Sequence, residues 1–185
     1  MKFLRYLIII FISFTTPIKA DLNKNLINQL QEGEKLIFIR HAYAPGNGDP
    51  GNFNLNDCST QRNLNERGKV QAINIGEFFR KNKIQIDRVL SSEWCRCQDT
   101  ASLAFKKFKT KKFLNSFYSL KYAKNRDKQI LELKDYVKKF KSKKNLVLVT
   151  HYVVISDIFN YATSSGEIVI SNKNFEIIDS IKIDY

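Results

Sequence analysis

Residues 34–46 read EKLIFIRHAYAPG: an almost wholly apolar run ends in Arg40 and His41, and a Gly- and Pro-containing loop begins. A short run that is apolar throughout is typical of a strand covered on both faces of a sheet. The chain has only two histidines. His41, at the end of this strand, is therefore the first candidate functional residue, although an idle strand-end histidine with satisfied hydrogen bonds would give the same pattern.

Outward from this strand, short apolar runs alternate with helical patterns, which predicts an α/β fold. Strands are predicted at 35–40, 87–92, 112–118 and 145–151, helices at 65–82, from 94 or 95 past 105, at 127–140 and at 153–161, and a C-terminal hairpin with its turn near 172–174. The first helix has Asn65 as its cap and an inner stripe of Gly68, Ala72, Ile75, Gly76 and Phe79. Its small residues would let it lie close to the sheet.

The first twenty residues, MKFLRYLIIIFISFTTPIKA, have a basic start, a short apolar block and a small residue at the end. This pattern predicts an export signal cleaved after Ala20, with an uncleaved membrane anchor as the alternative. Residues 21–185 then form a single domain, exported and expected in the periplasm. A chain of that length can bury a sizeable core.

The chain is strongly basic, with a formal net charge of +13. Removal of residues 1–20 takes away three positive charges and no acid, which leaves +10. A basic surface attracts anionic partners. In an exported protein these are phosphorylated substrates, with a weak attraction to anionic membrane surfaces, rather than nucleic acid. Alternatively, many of the lysines are only solvated helix ends and loops.

Three cysteines, Cys58, Cys95 and Cys97, are present. Export permits a disulfide, and the odd count leaves one thiol over. Cys95 and Cys97 are too close in sequence for a relaxed bridge, so Cys58 is expected to pair with one of them; three reduced, buried cysteines are the alternative. Two histidines and no paired C-x-x-C argue against a zinc site.

Basic residues lie at or just after the ends of three predicted strands: Arg40 and His41 at the first, Arg96 after the second, and His151 at the end of the strand at 145–151. The carboxyl ends of strands in an open α/β sheet form the usual ligand site. Guanidinium groups bind phosphoryl oxygens in pairs of hydrogen bonds, and backbone N–H groups at the helix start near Arg96 would add an anion site. A neutral histidine among them can attack phosphorus, and a second can stabilise the charge that develops.

Four motifs in order resemble the histidine phosphatase superfamily, which has the phosphoglycerate mutase-like fold. Arg40-His41 resembles the family's RHG signature, LNERGKVQA (64–72) its L-T-x-x-G-x-x-Q-A helix start, SSEWCRCQDTA (91–101) its S-S-x-x-x-R-x-x-x-T-A, and LVLVTH (146–151) the strand of its second histidine. The resemblance implies a three-layer sandwich, with a mostly parallel central sheet between helices. It also implies a cofactor-independent reaction in which His41 is the nucleophile and Arg40, Arg96 and His151 complete the phosphate pocket.

The chain departs from the family pattern at two positions, because Ala42 replaces the signature glycine and Tyr152 stands where the acid-phosphatase branch has an aspartate. The glutamate of the mutase branch is also missing. The proton donor therefore stays open, with Asp57 and Glu93 as candidates that could equally be ordinary surface carboxylates. Arg62 is a candidate for substrate binding, or else a solvated loop arginine.

The sequence predicts an exported phosphomonoesterase acting on a phosphorylated small molecule or sugar. Its long loop, residues 42–63, most resembles that of lipopolysaccharide-core heptose-phosphate phosphatases, and loops of such length are usually functional. Two alternatives stay open. One is a non-catalytic phosphate-binding module of the same fold, and the other is a basic peripheral protein at anionic lipid.

Overall fold

The structure is a computed structural model that describes residues 18–185. Its strands are β1 (Leu36–Arg40), β2 (Ile86–Ser91), β3 (Lys109–Thr110), β4 (Asn145–Thr150), β5 (Ile168–Ser171) and β6 (Ile177–Ile181). Its helices are α1 (Ile18–Glu32), α2 (Glu66–Lys81), α3 (Cys95–Phe105), α4 (Leu120–Ala123), α5 (Arg126–Lys139) and α6 (Tyr152–Phe159). Two single turns of 3₁₀ helix lie at Cys58–Thr60 and Lys112–Leu114.

The six strands form one sheet in the order β3-β2-β4-β1-β5-β6. β3, β2, β4 and β1 pair in parallel, whereas β5 runs antiparallel to β1 and β6 antiparallel to β5. The register pairs Arg40 with Thr150 and Ser91 with Val149, so β1, β2 and β4 end side by side. The predicted convergence of strand ends is therefore a property of the sheet.

Hydrophobic cores cover both faces of the sheet, which confirms the three-layer sandwich. Alternate residues of β1 point in opposite directions: Ile37 and Ile39 join a core with α1, α2 and α3, while Leu36 and Phe38 join a core with α5 and α6. β1 and β4 are buried almost throughout. A strand covered on both faces needs an apolar sequence on both faces, as the sequence of β1 predicts.

Helix α2 begins where Asn65 predicts and buries the predicted stripe, but its glycines do not pack against the sheet as predicted. The Asn65 side chain accepts a hydrogen bond from the Gly68 N–H at its start, and the predicted stripe is buried. A Cβ atom at Gly68 would overlap the backbone carbonyl of Tyr43, and one at Gly76 would overlap that of Ala104 in α3. The glycines thus allow close contact with the segment after His41 and with α3, rather than with the sheet itself.

The predicted strand at 112–118 is wrong. The edge strand β3 ends at Thr110, and Lys112–Leu114 form a 3₁₀ turn. This turn buries Phe113 and Leu114 together in the core on the α5 side of the sheet. Because a strand would send these adjacent side chains to opposite faces, a turn satisfies both apolar residues better here.

The N-terminal helix α1 was not predicted. Leu26 and Leu30 on α1 are buried in the first core. Most of the predicted export signal, residues 1–17, lies outside the described residues, and the predicted cleavage site after Ala20 falls within α1. In the described part of the chain, no helix combines the length and apolar character needed to cross a membrane.

Candidate active site

A cavity of about 480 Å³ opens where β1, β2 and β4 end. Four predicted site residues lie in its wall, together with Arg62, residues of the long loop, and an aromatic rim. The lining residues are Arg40, His41, Asn47, Gly48, Asp49, Pro50, Gly51, Phe53, Arg62, Trp94, Arg96, Ser116, Tyr118, Ser119, Lys121, Tyr122, His151, Tyr152 and Val153. The structure therefore brings Arg40, His41, Arg96 and His151 together.

His41 is buried and held in one orientation. Its backbone N–H donates to the Thr150 carbonyl of β4, and its ring Nδ1 lies 2.9 Å from the Ala42 carbonyl oxygen. Since a carbonyl only accepts, Nδ1 carries the proton and Nε2 keeps its electron pair. Arg96 Nε donates to that Nε2 across 3.2 Å.

The electrostatic surroundings keep His41 neutral. Burial and then the nearby Arg96 charge hold the pKa of His41 well below its ordinary value of 6.5, against the hydrogen bond to Ala42. His41 lines the cavity, and a neutral imidazole with an unprotonated Nε2 has the form required of a nucleophile toward phosphorus.

Arg96 joins the two histidines. It lies in the first turn of α3 with 4% of its side chain exposed. Besides donating to His41, its Nη2 lies 3.5 Å from His151 Nδ1, and its Nη1 and Nη2 contact the two Asp49 carboxylate oxygens at 2.6 and 3.3 Å. The guanidinium is thereby fixed in the cavity wall.

His151 is oriented by a chain of polar side chains. Its Nε2 lies 2.8 Å from Ser92 Oγ, whose own hydroxyl donates to Asn115 Oδ1. Asn115 is fixed in turn by the Glu93 backbone N–H and carboxylate. Ser92 therefore accepts from a protonated His151 Nε2, and His151 Nδ1 faces Arg96 with its electron pair.

Burial and the Arg96 charge also depress the pKa of His151 well below 6.5, so both histidines are neutral. The free Cys97 thiol packs 3.5 Å from His151 Nε2. Burial raises its pKa to about 12, which keeps it a neutral packing group beside the imidazole.

Arg40, the last residue of β1, forms another part of the wall. Its Nη1 donates to the Thr163 carbonyl at 2.6 Å, and its guanidinium lies 5.4 Å from the centre of the Tyr152 ring. Tyr152 thus provides a cation–π contact at the position where the acid-phosphatase branch of the resembled family has an aspartate. Arg40 Nε is buried and has no hydrogen-bond partner among the described residues.

Arg62 lines the cavity, but its side chain also holds the long loop. Its Nε donates to the Gly48 carbonyl at 2.7 Å, and its Nη1 donates to the Ala44 carbonyl. Its backbone N–H donates to Asp49. A direct role in substrate binding stays a prediction.

The backbone after His41 is supported by two residues of the sequence motifs. The Ala42 N–H donates to Thr100 Oγ1 at 3.0 Å, and the Tyr43 N–H donates to Gln71 Oε1 at 2.9 Å. Ala42 does not adopt a positive φ, so its Cβ is accommodated without strain. The replacement of the signature glycine therefore leaves the strand end intact.

Neither predicted proton donor lies in the cavity. Asp57 is exposed and accepts hydrogen bonds from Ser59 at the start of a 3₁₀ turn. Glu93 faces a shallower hollow beside the disulfide, where it fixes Asn115. Both carboxylates therefore have structural roles outside the cavity. The carboxylate in the cavity is that of Asp49, which was not predicted from the sequence.

Cysteine pairing follows the prediction, since Cys58 and Cys95 form a disulfide and Cys97 is free. The bridge joins the long loop to the first turn of α3, next to Arg96. The expected anion site at this helix start is largely taken, however, because the Cys95 N–H donates to Gln61 Oε1 and the Trp94 N–H to Ser92 Oγ.

Sequence reasoning also missed Ser92 and Asn115, the residues that orient His151. Ser92 had a signal, because it lies in the quoted SSEWCRCQDTA motif, but its partner was not identifiable from the sequence. Within residues 18–185 no three His, Cys, Asp or Glu side chains gather closely enough to hold a metal ion.

A known family model matches the part of the chain that carries His41 and Arg96. The model of the histidine phosphatase superfamily (branch 1) matches residues 36–116, which include the strand of His41 and the helix of Arg96. No curated protein matches the sequence.

Solved structures share the fold at low sequence identity. SixA from Agrobacterium tumefaciens is 17% identical, with a TM-score of 0.56 over 80% of this chain and 98% of that chain. The protein histidine phosphatase SixA complexed with tungstate is 11% identical (TM-score 0.53; 81% and 96%), and Rv3214 from Mycobacterium tuberculosis is 15% identical (TM-score 0.57; 82% and 97%). The chain is therefore similar to the histidine phosphatase superfamily (branch 1) over residues 36–116, and it shares its fold with these solved structures.

Proposed function

We propose that the protein is an exported phosphomonoesterase that transfers a phosphoryl group from its substrate to His41 and then to water. The observation that carries this proposal is the state of His41: the imidazole is neutral, its Nδ1 donates to the Ala42 carbonyl, and its unprotonated Nε2 accepts from Arg96 in the cavity wall. The same geometry without turnover would make a phosphate-binding module, so activity must be measured directly.

The surrounding cations suit a phosphoryl group. Arg40, Arg62 and Arg96 all line the cavity, and the buried Arg40 Nε has no partner among the described residues. Buried donors are nearly always satisfied, so an unpaired one at a cavity wall points to a polar ligand. As the P–O bond breaks, these fixed guanidiniums stabilise the charge on the phosphoryl oxygens without reorganising.

The substrate is proposed to be a phosphorylated small molecule, in particular a sugar phosphate such as those of the lipopolysaccharide core. The cavity has the volume of a small-molecule site. Phe53 and Trp94 stack with ring centres 5.2 Å apart, and Tyr122 packs edge-on against both, which gives an aromatic wall beside the phosphate pocket. Lys121 in the same rim offers a cation for a second anionic group.

Export and removal of residues 1–20 are part of the proposal. A disulfide persists in oxidising compartments, and the Cys58–Cys95 bridge supports such a location. The mass and N-terminal sequence of the protein recovered from the periplasm test this point, with Asp21 expected as the first residue. Cytoplasmic protein that begins at Met1 would contradict it.

Turnover tests the proposed activity. The purified protein is expected to hydrolyse p-nitrophenyl phosphate, and His41→Ala should abolish hydrolysis. A panel of sugar phosphates, nucleotides and phosphohistidine peptides then identifies the preferred ester. Phosphate binding without turnover of any substrate would favour the phosphate-binding module. Liposome binding that survives changes of Arg40 and Arg96 would favour the peripheral lipid-binding protein.

A further inference from the structure

The cavity contains one carboxylate among the described residues, and it lies on the arginine that joins the histidines. Asp49 Oδ1 and Oδ2 contact Arg96 Nη1 and Nη2 at 2.6 and 3.3 Å. This two-point geometry is the one by which a guanidinium binds a phosphoryl group. The Asp49 carboxylate therefore covers the edge of Arg96 that an incoming phosphoryl group would use.

Asp49 lines the cavity and is partly exposed to solvent. Its side chain is 17% exposed. Besides Arg96, its partners are the Trp94 Nε1–H at 3.0 Å and the Arg62 backbone N–H at 3.2 Å. The residue belongs to a loop whose Gly48 adopts a positive φ of 69°. Both other partners lie in the cavity wall, so a carboxylate that leaves Arg96 stays next to bound substrate.

We propose that Asp49 is the proton donor of the reaction, delivered when the substrate's phosphoryl group takes its place on Arg96. This inference rests on the proposed phosphatase activity. It gives the reaction the acid that the sequence motifs lack, since Asp57 and Glu93 are committed to structural hydrogen bonds outside the cavity.

The chemical steps balance with Asp49 in this role. On exchange, the carboxylate takes up a proton from solvent. His41 Nε2 then forms the N–P bond with its electron pair, the P–O bond to the leaving group breaks, and the leaving oxygen receives the Asp49 proton. In the second step, water attacks phosphorus, the N–P bond breaks, and the Asp49 carboxylate accepts the proton of the water.

The electrostatics of Asp49 support this exchange. Burial raises the pKa of Asp49, but the hydrogen bond and charge of Arg96, together with the hydrogen bonds from Trp94 and the Arg62 backbone, hold it below its ordinary value. When a phosphoryl group occupies Arg96, the contribution of Arg96 is lost and a negative neighbour is gained. Both changes favour the protonated carboxyl.

The dependence of the rate on the leaving group tests the proposal. Asp49→Asn keeps the shape of the side chain but removes the transferable proton. For benzyl phosphate, whose alkoxide is a poor leaving group, kcat/KM should fall about 10²–10³-fold. For 2,4-dinitrophenyl phosphate, whose leaving group needs no proton, it should change little. Asp49→Glu, which keeps a carboxyl group, should recover part of the activity toward benzyl phosphate.

The matched control is Asp57→Asn, in the same loop and outside the cavity, which should behave like the wild type with both esters. Equal losses for both esters in Asp49→Asn would overturn the proposal and make Asp49 a positioning residue for Arg96. Unchanged rates for both would also overturn it. Asp49→Ala, which has neither a carboxyl nor an amide group, should show the same difference in kcat/KM between the two esters.

If the wild type hydrolyses neither ester, the proposed phosphatase activity is wrong. If the wild type is active but Asp49→Asn does not show the expected dependence on the leaving group, only the role of Asp49 is wrong. Retained activity of Asp49→Asn toward 2,4-dinitrophenyl phosphate, together with a melting temperature near that of the wild type, shows that the variant is folded.

Discussion

At the scale of single residues, the site depends on the planar guanidinium of Arg96, which contacts His41 through Nε, Asp49 through Nη1 and Nη2, and His151 through Nη2. An ammonium group carries the same charge but lacks this fork. A single nitrogen cannot hold three partners in these directions. Arg96 is therefore expected to act through its shape as well as through its charge.

Arg96→Lys should lower kcat about 10²–10³-fold on p-nitrophenyl phosphate, by analogy with the loss of one preorganised donor. The control is Arg126→Lys on α5, where the arginine pairs with Asp157 on the surface and should be replaceable without loss. Wild-type activity in Arg96→Lys would show that the fork does not grip the phosphoryl group.

The ionisation of the two histidines gives a second prediction. Burial and Arg96 place the pKa values of His41 and His151 well below 6.5, so both imidazoles stay neutral as the pH falls through that value and become protonated only at lower pH. Because the chain has two histidines, proton NMR of untagged protein should show two imidazole Hε1 signals, which His41→Ala assigns. A titration midpoint at or above 6.5 for His41 would contradict the neutral nucleophile.

At the scale of elements, the sheet register brings together side chains that are far apart in sequence. β1 and β2 both pair with β4, so their ends supply Arg40, His41 and Ser92 beside His151. α3 then begins directly after β2 and carries Arg96. The parallel register of β1, β2 and β4, with short turns after β2 and β4, explains why residues spread over more than a hundred positions form one site.

The long loop is fixed to this scaffold by the Cys58–Cys95 disulfide, one residue before Arg96. The disulfide closes a segment of 37 residues, which stabilises the fold by about 4 kcal/mol in the chain-entropy model. The bridge also limits how far the loop of Asp49 can move from α3. Reduction should therefore lower the melting temperature by roughly 10 °C and raise KM.

Thermal melts and kinetics with and without reductant measure both effects. Cys58→Ser serves as the matched control, because it should reproduce the change and then respond no further to reductant. An unchanged KM in the fully reduced protein would show that the disulfide does not affect substrate binding.

At the scale of the whole molecule, the sequence predicts the layers and the four central site residues, because both depend on local patterns. A buried strand is apolar on both faces, and its end lies at the ligand edge of the sheet. The family motifs then identify Arg40, His41, Arg96 and His151.

What the sequence does not predict depends on long-range contacts. Asp49 is one of several polar residues in a loop, and only the contacts of Arg62 and Trp94 turn it toward Arg96. The sequence around Phe113 and Leu114 is typical of a strand, but both side chains are buried in the core on the α5 side of the sheet, which requires a 3₁₀ turn. In both cases a partner distant in sequence selects among conformations that are locally equivalent.

The central claim is that phosphoryl transfer passes through His41 Nε2. Rapid acid-free quenching of the protein with p-nitrophenyl phosphate, followed by proteolysis and mass spectrometry, locates the phosphoryl group. We expect an acid-labile phosphohistidine at His41 that forms and decays at rates compatible with turnover and is missing in His41→Ala. Phosphorylation at another residue, or steady turnover in His41→Ala with no phosphohistidine, would contradict the account.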